Sequence, residues 1–128
     1  MRVHRLDHVN IRTRHLEATK DFYVEAIGLR LGGRPPFTFA GYWLYDDNIA
    51  VIHLAEEDAS VATGTGPIDH VSFRVSGLAA ARERLAELGI PFTERVVPRN
   101  GDVQLFLTDP NGVSIELTFD ADDSTAEA

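Results

Sequence analysis

Four side chains that are able to bind a metal ion recur at equivalent places along the sequence. His8 has a counterpart in His70, and His53 has a counterpart in Glu116. Three imidazoles and one carboxylate form a ligand set that suits zinc, nickel, cobalt, manganese or iron. Two of the imidazoles with the carboxylate, and with coordination positions left open, also suit Fe(II) chemistry. The pattern therefore predicts a divalent metal site with four candidate ligands: His8, His53, His70 and Glu116.

The equivalence of these positions depends on an internal repeat. The segment Leu6–Thr13 resembles Ile68–Val75, with Asp, His, Val and Arg at matching places. Later in each half, Asp46–Leu54 aligns with Asp109–Leu117 at almost the same interval. Two matched segments in register are typical of a duplicated module. We therefore predict a first module over residues 1–60, a linker over 61–67, a second module over 68–119 and an acidic, disordered tail over 120–128.

The hydropathy pattern gives both modules the same order of elements. Val9 and Ile11 alternate with polar residues, as expected for a strand with one buried face. An apolar stripe with helical spacing follows, and it ends at Gly28 in the first module and at Gly89 in the second. Three short strands complete each half. The predicted fold is therefore α+β, with two repeated βαβββ modules.

The alternation of side chains along a strand predicts where the candidate ligands point. In the last strand of the second module, Ile115 and Leu117 share one face and Glu116 lies on the other. The helix is expected to cover the apolar face, which leaves the face with the candidate ligands open. Asp7 and Asp69 directly precede the two key histidines. We expect them to point the other way, into turn or edge hydrogen bonds.

Each candidate residue also has an ordinary structural interpretation. A strand histidine is usually a surface residue or a hydrogen-bonded one, and a duplicated histidine can be a structural remnant. Phe37, Tyr42 and Arg99 are candidates for lining a substrate pocket. Trp43 aligns with Phe106 of the second module, so we expect it in the core instead.

The composition excludes several classes of function. The 128-residue chain has a formal net charge of −8, which disfavours nucleic acids and anionic membranes as partners. It contains no cysteine, so disulfides, thiolate metal sites and cysteine nucleophiles are excluded. No apolar run approaches the roughly 20 residues of a membrane helix. Because the first residues contain no apolar leader, we expect a cytoplasmic location.

Four motifs together carry a family resemblance: Leu6-Asp7-His8-Val9, Phe22-Tyr23 with Gly28-Leu29, Ile68-Asp69-His70-Val71, and the segment Phe106–Glu116. They resemble the motifs of the vicinal oxygen chelate superfamily, which includes glyoxalase I, extradiol dioxygenases and bleomycin resistance proteins. The resemblance implies βαβββ modules whose curled mixed sheet forms an open metal-binding cleft. It also implies a divalent metal ion (Zn, Ni, Co, Mn or Fe) held on the first and last strands, a small-molecule substrate and a homodimer.

Within this superfamily, the residues favour one activity and leave two alternatives. The favoured activity is that of a metal-dependent, glyoxalase-like lyase or isomerase, in which the metal chelates adjacent oxygens of a small carbonyl substrate. Glu116 would then be a ligand and a catalytic residue, and His53 would be a fourth ligand or the general base. The alternatives are a non-haem Fe(II) extradiol-type dioxygenase and a non-catalytic protein that binds a drug or antibiotic. Phe106, in place of a tyrosine, counts against the dioxygenase.

Overall fold

A computed structural model describes residues 1–58 and 62–126 of the chain. The chain forms two compact units, residues 1–62 and 63–128. Each unit contains its own four-stranded mixed sheet and a helix between its first and second strands. The prediction of an α+β fold with two βαβββ modules is therefore confirmed. The predicted boundary at residues 60 and 61, and the last two residues of the predicted tail, lie outside the described residues.

The helix of the first module changes its winding half-way. It begins as α1 (Leu16–Asp21), continues as a π-helical segment (Phe22–Ile27) and ends at Gly28, which has a φ of 91° that residues with a Cβ rarely adopt. The strands of this module are β1 (Val9–Thr13), β2 (Arg30–Gly32), β3 (Gly41–Asp46) and β4 (Ile49–Glu56). Their order is β1-β4-β3-β2, with β1 parallel to β4 and the other pairs antiparallel.

The second module repeats this arrangement. Its helix is α2 (Leu78–Glu87), and Gly89 follows with a φ of 69°. Its strands are β5 (Val71–Arg74), β6 (Thr93–Val96), β7 (Val103–Thr108) and β8 (Ser114–Phe119). Their order is β5-β8-β7-β6, with β5 parallel to β8 and the other pairs antiparallel. In both modules the first and last strands are therefore neighbours at the same place in the sheet.

One face of each sheet is apolar and buried. In the first module it carries Ile52 and Leu54 of β4, and in the second it carries Ile115 and Leu117 of β8. Removing such side chains from water contributes roughly 25 cal/mol for each Å² of apolar surface, which makes this face the stabilising one. The alternate residues of the same strands, His53 and Glu116, lie on the other face. Period-two alternation thus separates the stabilising residues from the candidate ligands.

The acidic tail differs from the expectation that it is disordered. Part of it forms a short helix, α3 (Ala121–Ala126). The carboxylate of Asp123 accepts hydrogen bonds from the backbone N–H groups of Gly77, at 2.7 Å, and Leu78, at 3.0 Å. Leu78 is the first residue of α2, so its N–H has no partner within the helix, and Asp123 accepts a hydrogen bond from it and from the preceding Gly77. None of the helices in the described residues is long and apolar enough to cross a membrane.

Candidate metal centre

In the second module, the structure brings His70 and Glu116 together. Nε2 of His70 lies 2.7 Å from Oε2 of Glu116. The contact follows from the topology, because His70 directly precedes β5 and β5 lies alongside β8, where Ser72 is the register partner of Glu116. The Glu116 side chain is only 7% exposed, whereas that of His70 is 43% exposed. The pair therefore joins a buried anionic acceptor to an imidazole that solvent reaches.

The second oxygen of Glu116 is bound by Gln104. The side-chain Nε2 of Gln104 donates a hydrogen bond to Oε1 of Glu116. Nε and Nη2 of Arg95 in turn donate to Oε1 of Gln104, at 3.2 and 2.8 Å. A buried carboxylate is costly without such partners, so these contacts make the position of Glu116 tolerable. Sequence analysis missed both residues, although Gln104 alternates with the apolar Val103 and Leu105 and is thereby placed on the face of Glu116.

Asp69 orients the ring of His70. Nδ1 of His70 donates to Oδ2 of Asp69 at 2.8 Å. This hydrogen bond raises the pKa of His70 above its usual 6.5, and the charge of Glu116 acts in the same direction. A histidine that donates Nδ1–H to a carboxylate keeps Nε2 for a metal ion. The expectation that Asp69 points away from His70 is wrong, because both residues precede β5 and strand alternation does not apply to them.

In the first module, His8 and His53 are in contact through their ring faces. Their ring centres are 3.8 Å apart and their planes differ by 8°. Trp43 also stacks on His53, with ring centres 4.0 Å apart and planes 12° apart. Two rings cannot occupy one face at these distances, so the imidazole of His53 lies between the other two rings. Nδ1 of His8 donates to Oδ2 of Asp7 at 2.8 Å, which repeats the arrangement of His70 and Asp69.

The surroundings of His53 favour its neutral form. Burial lowers the pKa of His53 below its usual 6.5, and the nearby His8 lowers it further. A hydrogen bond with the backbone of Ala50 acts on the pKa in the opposite direction. Because a neutral imidazole is the form that binds metal ions and accepts protons, the site of His53 is chemically suited to either role.

The predicted pocket residues occupy three different places. Phe37 is 45% exposed, and its ring centre lies 6.4 Å from that of Trp43, so it joins the aromatic cluster around His53. Tyr42 lies on the opposite face of β3 from Trp43, where its hydroxyl donates to Oε1 of Glu17 at 2.5 Å. That face borders a separate cavity of about 600 Å³ beside α1. Arg99 is exposed, in the loop between β6 and β7.

Trp43 does not occupy the core position that we expected. It is half-buried, and it is the register partner of His53 on the face away from the core. The alignment with Phe106 identified an equivalent position, but Phe106 is itself the register partner of Glu116 on the same face of its own sheet. The expectation of a core tryptophan is wrong because an aromatic residue type does not show which face of a strand is buried.

One member of each pair of candidate ligands lines a cavity, His53 in the first module and His70 in the second. A cavity of about 270 Å³ is lined by His53, Trp43 and Asp7 among others. A cavity of about 250 Å³ is lined by His70 and Phe106 among others. Within residues 1–58 and 62–126, no group of three or more His, Asp or Glu side chains is arranged to hold a metal ion. The four candidate ligands are thus assembled as two pairs, one in each module, and imidazole nitrogen and carboxylate oxygen are atom types that divalent cations bind.

Comparison with known proteins identifies the family of this chain. Residues 5–117 match the sequence profile of the Glyoxalase/Bleomycin resistance protein/Dioxygenase superfamily. The chain belongs to this superfamily. The resemblance drawn from the sequence motifs is therefore confirmed, together with the general glyoxalase-like character of the chain.

Two relatives in this superfamily are similar over most of their length. Glyoxylase I 4 from Arabidopsis thaliana is 32% identical over 120 residues, which cover 88% of this chain and 68% of the relative. Lactoylglutathione lyase from Pseudomonas putida is 25% identical over 142 residues, which cover 87% of this chain and 82% of the relative. A glyoxalase family protein from Bacillus anthracis shares the fold, with a TM-score of 0.77, 22% identity, and coverage of 94% of this chain and 98% of that one.

Proposed function

We propose that this chain is a metal-dependent lyase or isomerase of the glyoxalase type, acting on a small substrate that carries two adjacent oxygen atoms. One observation carries the proposal: in each module two candidate ligands from equivalent positions are in contact, His8 with His53 and His70 with Glu116. The similarity to relatives named as glyoxylase I and lactoylglutathione lyase favours this class over the superfamily's other activities.

The proposed metal ligands are His8, His53, His70 and Glu116. In two of the histidines the nitrogen Nδ1 is held by the preceding aspartate, at 2.8 Å in each case. This hydrogen bond fixes the ring and leaves Nε2 as the metal-binding atom. We further propose that the protein is a homodimer.

The chain's own residues supply binding, charge and a proton acceptor. A bound divalent ion would act as a Lewis acid on the adjacent oxygens of the substrate. Glu116 contributes a negative charge in a buried position, where water screens it little. His53 contributes a neutral imidazole, since burial lowers its pKa, and it would serve as a fourth ligand or as the base that removes a proton next to a carbonyl.

The proposed substrate is an α-hydroxy thioester or the thiohemiacetal from which it forms by isomerisation. The name of the lactoylglutathione lyase relative motivates this class. Phe37 and Trp43 form an apolar surface beside His53 on which the part of the substrate away from the oxygens would lie. Arg99 remains a proposed contact for an anionic substrate group. Tyr42 is not proposed for the pocket, because it faces α1.

Metal analysis followed by an isomerisation assay tests the proposal. The purified chain is loaded separately with Zn²⁺, Ni²⁺, Co²⁺, Mn²⁺ and Fe²⁺, and then incubated in D₂O with the thiohemiacetal of glutathione and a 2-oxoaldehyde. We expect metal-dependent thioester formation and solvent deuterium in the product, both lost in His70→Gln and kept in the exposed-site control His15→Gln. Failure to retain any metal would overturn the proposal. Fe²⁺-dependent oxygen uptake with a catechol, without isomerisation, would replace it by the dioxygenase alternative.

A further inference from the structure

We infer that Gln104 is a positioning residue for the carboxylate of Glu116, and that Arg95 determines the orientation of the Gln104 side-chain amide. The inference depends on the proposed function only in treating Glu116 as a metal ligand. The contacts themselves belong to the second module alone and involve two residues outside the candidate ligand set.

Arg95, Gln104 and Glu116 are linked in series by hydrogen bonds, and their donors and acceptors can be arranged in only one way. A guanidinium group has N–H donors and no acceptor, so only the oxygen of the Gln104 amide can face Arg95. The NH₂ group of the same amide then faces Glu116 and donates to its Oε1. Oε1 is thereby occupied, and Oε2 is the oxygen that faces Nε2 of His70. The hydrogen bonds from Arg95 through Gln104 thus determine which oxygen of the Glu116 carboxylate faces the open side.

The opposite orientation of the Gln104 amide is unfavourable for two reasons. Its NH₂ group would face the N–H groups of Arg95, so two sets of donors would meet. Its oxygen would face the carboxylate of Glu116, whose side chain is 7% exposed, so two acceptors would meet where little water can separate them. Arg95 therefore acts on Glu116 through Gln104 and makes no direct hydrogen bond to the carboxylate among the described contacts.

The three hydrogen-bonded side chains lie on three adjacent strands of one sheet. Arg95 on β6 is the register partner of Gln104 on β7, and β7 lies beside β8, which carries Glu116. The guanidinium carbon of Arg95 lies 5.3 Å from the ring centre of Phe106, the register partner of Glu116, so a cation–π contact adds to the constraint. Groups fixed on neighbouring strands hold a ligand more firmly than groups on a loop.

The first module provides an internal comparison. Trp43 pairs with His53 as Phe106 pairs with Glu116, so Gly41 is the counterpart of Gln104. Glycine has no side-chain donor, and the candidate ligand beside it is a neutral imidazole held between two rings. The module with a side-chain donor at this position is the one that carries the carboxylate. This correlation is what the positioning role of Gln104 requires.

Metal affinity in a double-mutant cycle tests the inference. We compare the unmodified protein with Q104L, R95M and the double variant. The control is R82M, because Arg82 also donates two hydrogen bonds, at 2.9 and 2.7 Å, to Glu94, and neither residue takes part in the hydrogen bonds between Arg95, Gln104 and Glu116. We expect Q104L to weaken Zn²⁺ binding by about 10- to 100-fold, as removal of an outer-shell partner does. R95M should weaken it less, the double variant no more than Q104L, and R82M not at all.

Two results would overturn the inference. One is a folded Q104L protein that binds Zn²⁺ as tightly as the unmodified chain. The other is additivity of Q104L and R95M, since Arg95 would then act independently of Gln104. If the unmodified chain binds no metal, the proposed function fails while the inference is still decided in the metal-free protein. In that protein, R95M must shift the resonances of the Gln104 side-chain amide in an NMR spectrum, and R82M must leave them unchanged. Resonances that do not shift in R95M would overturn the inference.

Discussion

The indole ring of Trp43 lies flat against the imidazole of His53, with ring centres 4.0 Å apart. Trp43 is the only tryptophan in the chain, so its fluorescence reports on one proposed ligand. We predict that Zn²⁺ changes the emission of Trp43 and that the change saturates with the affinity of the site. His53→Ala should abolish the response, and the exposed-site control His15→Ala should keep it. A full response in His53→Ala would show that Zn²⁺ binds elsewhere.

The proposed role of Glu116 as a metal ligand predicts the effect of a substitution that preserves its shape. Glu116→Gln removes the negative charge and retains an oxygen and a volume that the buried site accommodates. We predict that metal affinity falls by more than the roughly 100-fold upper range for outer-shell changes, while the free energy of unfolding of the metal-free protein changes little. Competition with a coloured chelator measures the affinity. Glu83→Gln, an exposed change on α2, is the matched control and should bind as before.

The pair Arg82 and Glu94 predicts a pH dependence of stability. Two hydrogen bonds from Arg82 lower the pKa of Glu94 below its usual 4.5. The folded state therefore gains stability from the ionised Glu94 above the unfolded pKa, and it loses this gain as the pH falls through the lower, folded pKa. Because the pair is partly exposed, the gain is on the order of 0.2–1 kcal/mol.

Urea unfolding of the unmodified chain and of Arg82→Met at pH 7 and pH 3 measures this gain. Arg82→Met should be less stable at pH 7, and the difference between the two proteins should narrow at pH 3. A difference that is equal at both pH values would assign the loss to packing of the arginine stem rather than to its charge.

The contact of Asp123 with the start of α2 predicts that the acidic tail stabilises the second module. Asp123→Ala removes the acceptor for two backbone N–H groups. We predict a loss of about 0.5–2 kcal/mol in the free energy of unfolding, the range known for helix N-caps. Asp123→Asn should recover only part of it, because the single amide oxygen accepts one of the two hydrogen bonds and the NH₂ group faces the other N–H. Asp122→Ala, the neighbouring change, should have no such effect, and an equal loss there would point to the helix α3 as a whole.

The repeat in the sequence predicted the architecture because each module folds by local rules. Period-two alternation and the glycine stops at Gly28 and Gly89 place the strands and helices, and the structure contains them at those positions. The pairing of His8 with His53, and of His70 with Glu116, follows from the same repeat, since first and last strands are neighbours in each sheet.

The hydropathy pattern could not predict contacts that depend on the direction of side chains outside the strands. Asp69 turns toward His70 because it precedes β5, where no alternation rule operates. Gln104 was not recognised because its role comes from a neighbour on another strand, Arg95, and register between strands is not visible in a hydropathy pattern. The tail helix was missed because its stabilising contact is with Gly77, far along the chain.

The carboxylate of Glu116 has protein partners on both oxygens, Gln104 on one and His70 on the other. A buried charge that is already satisfied in this way does not require a cation in order to fold, unlike the ligands of a zinc finger. Folding of the chain and binding of the proposed metal ion would then be separate events. If the proposed site binds a metal ion, the ion is then selected after synthesis, by the metals available and their order of intrinsic affinity, so the same polypeptide would acquire different metals under different conditions.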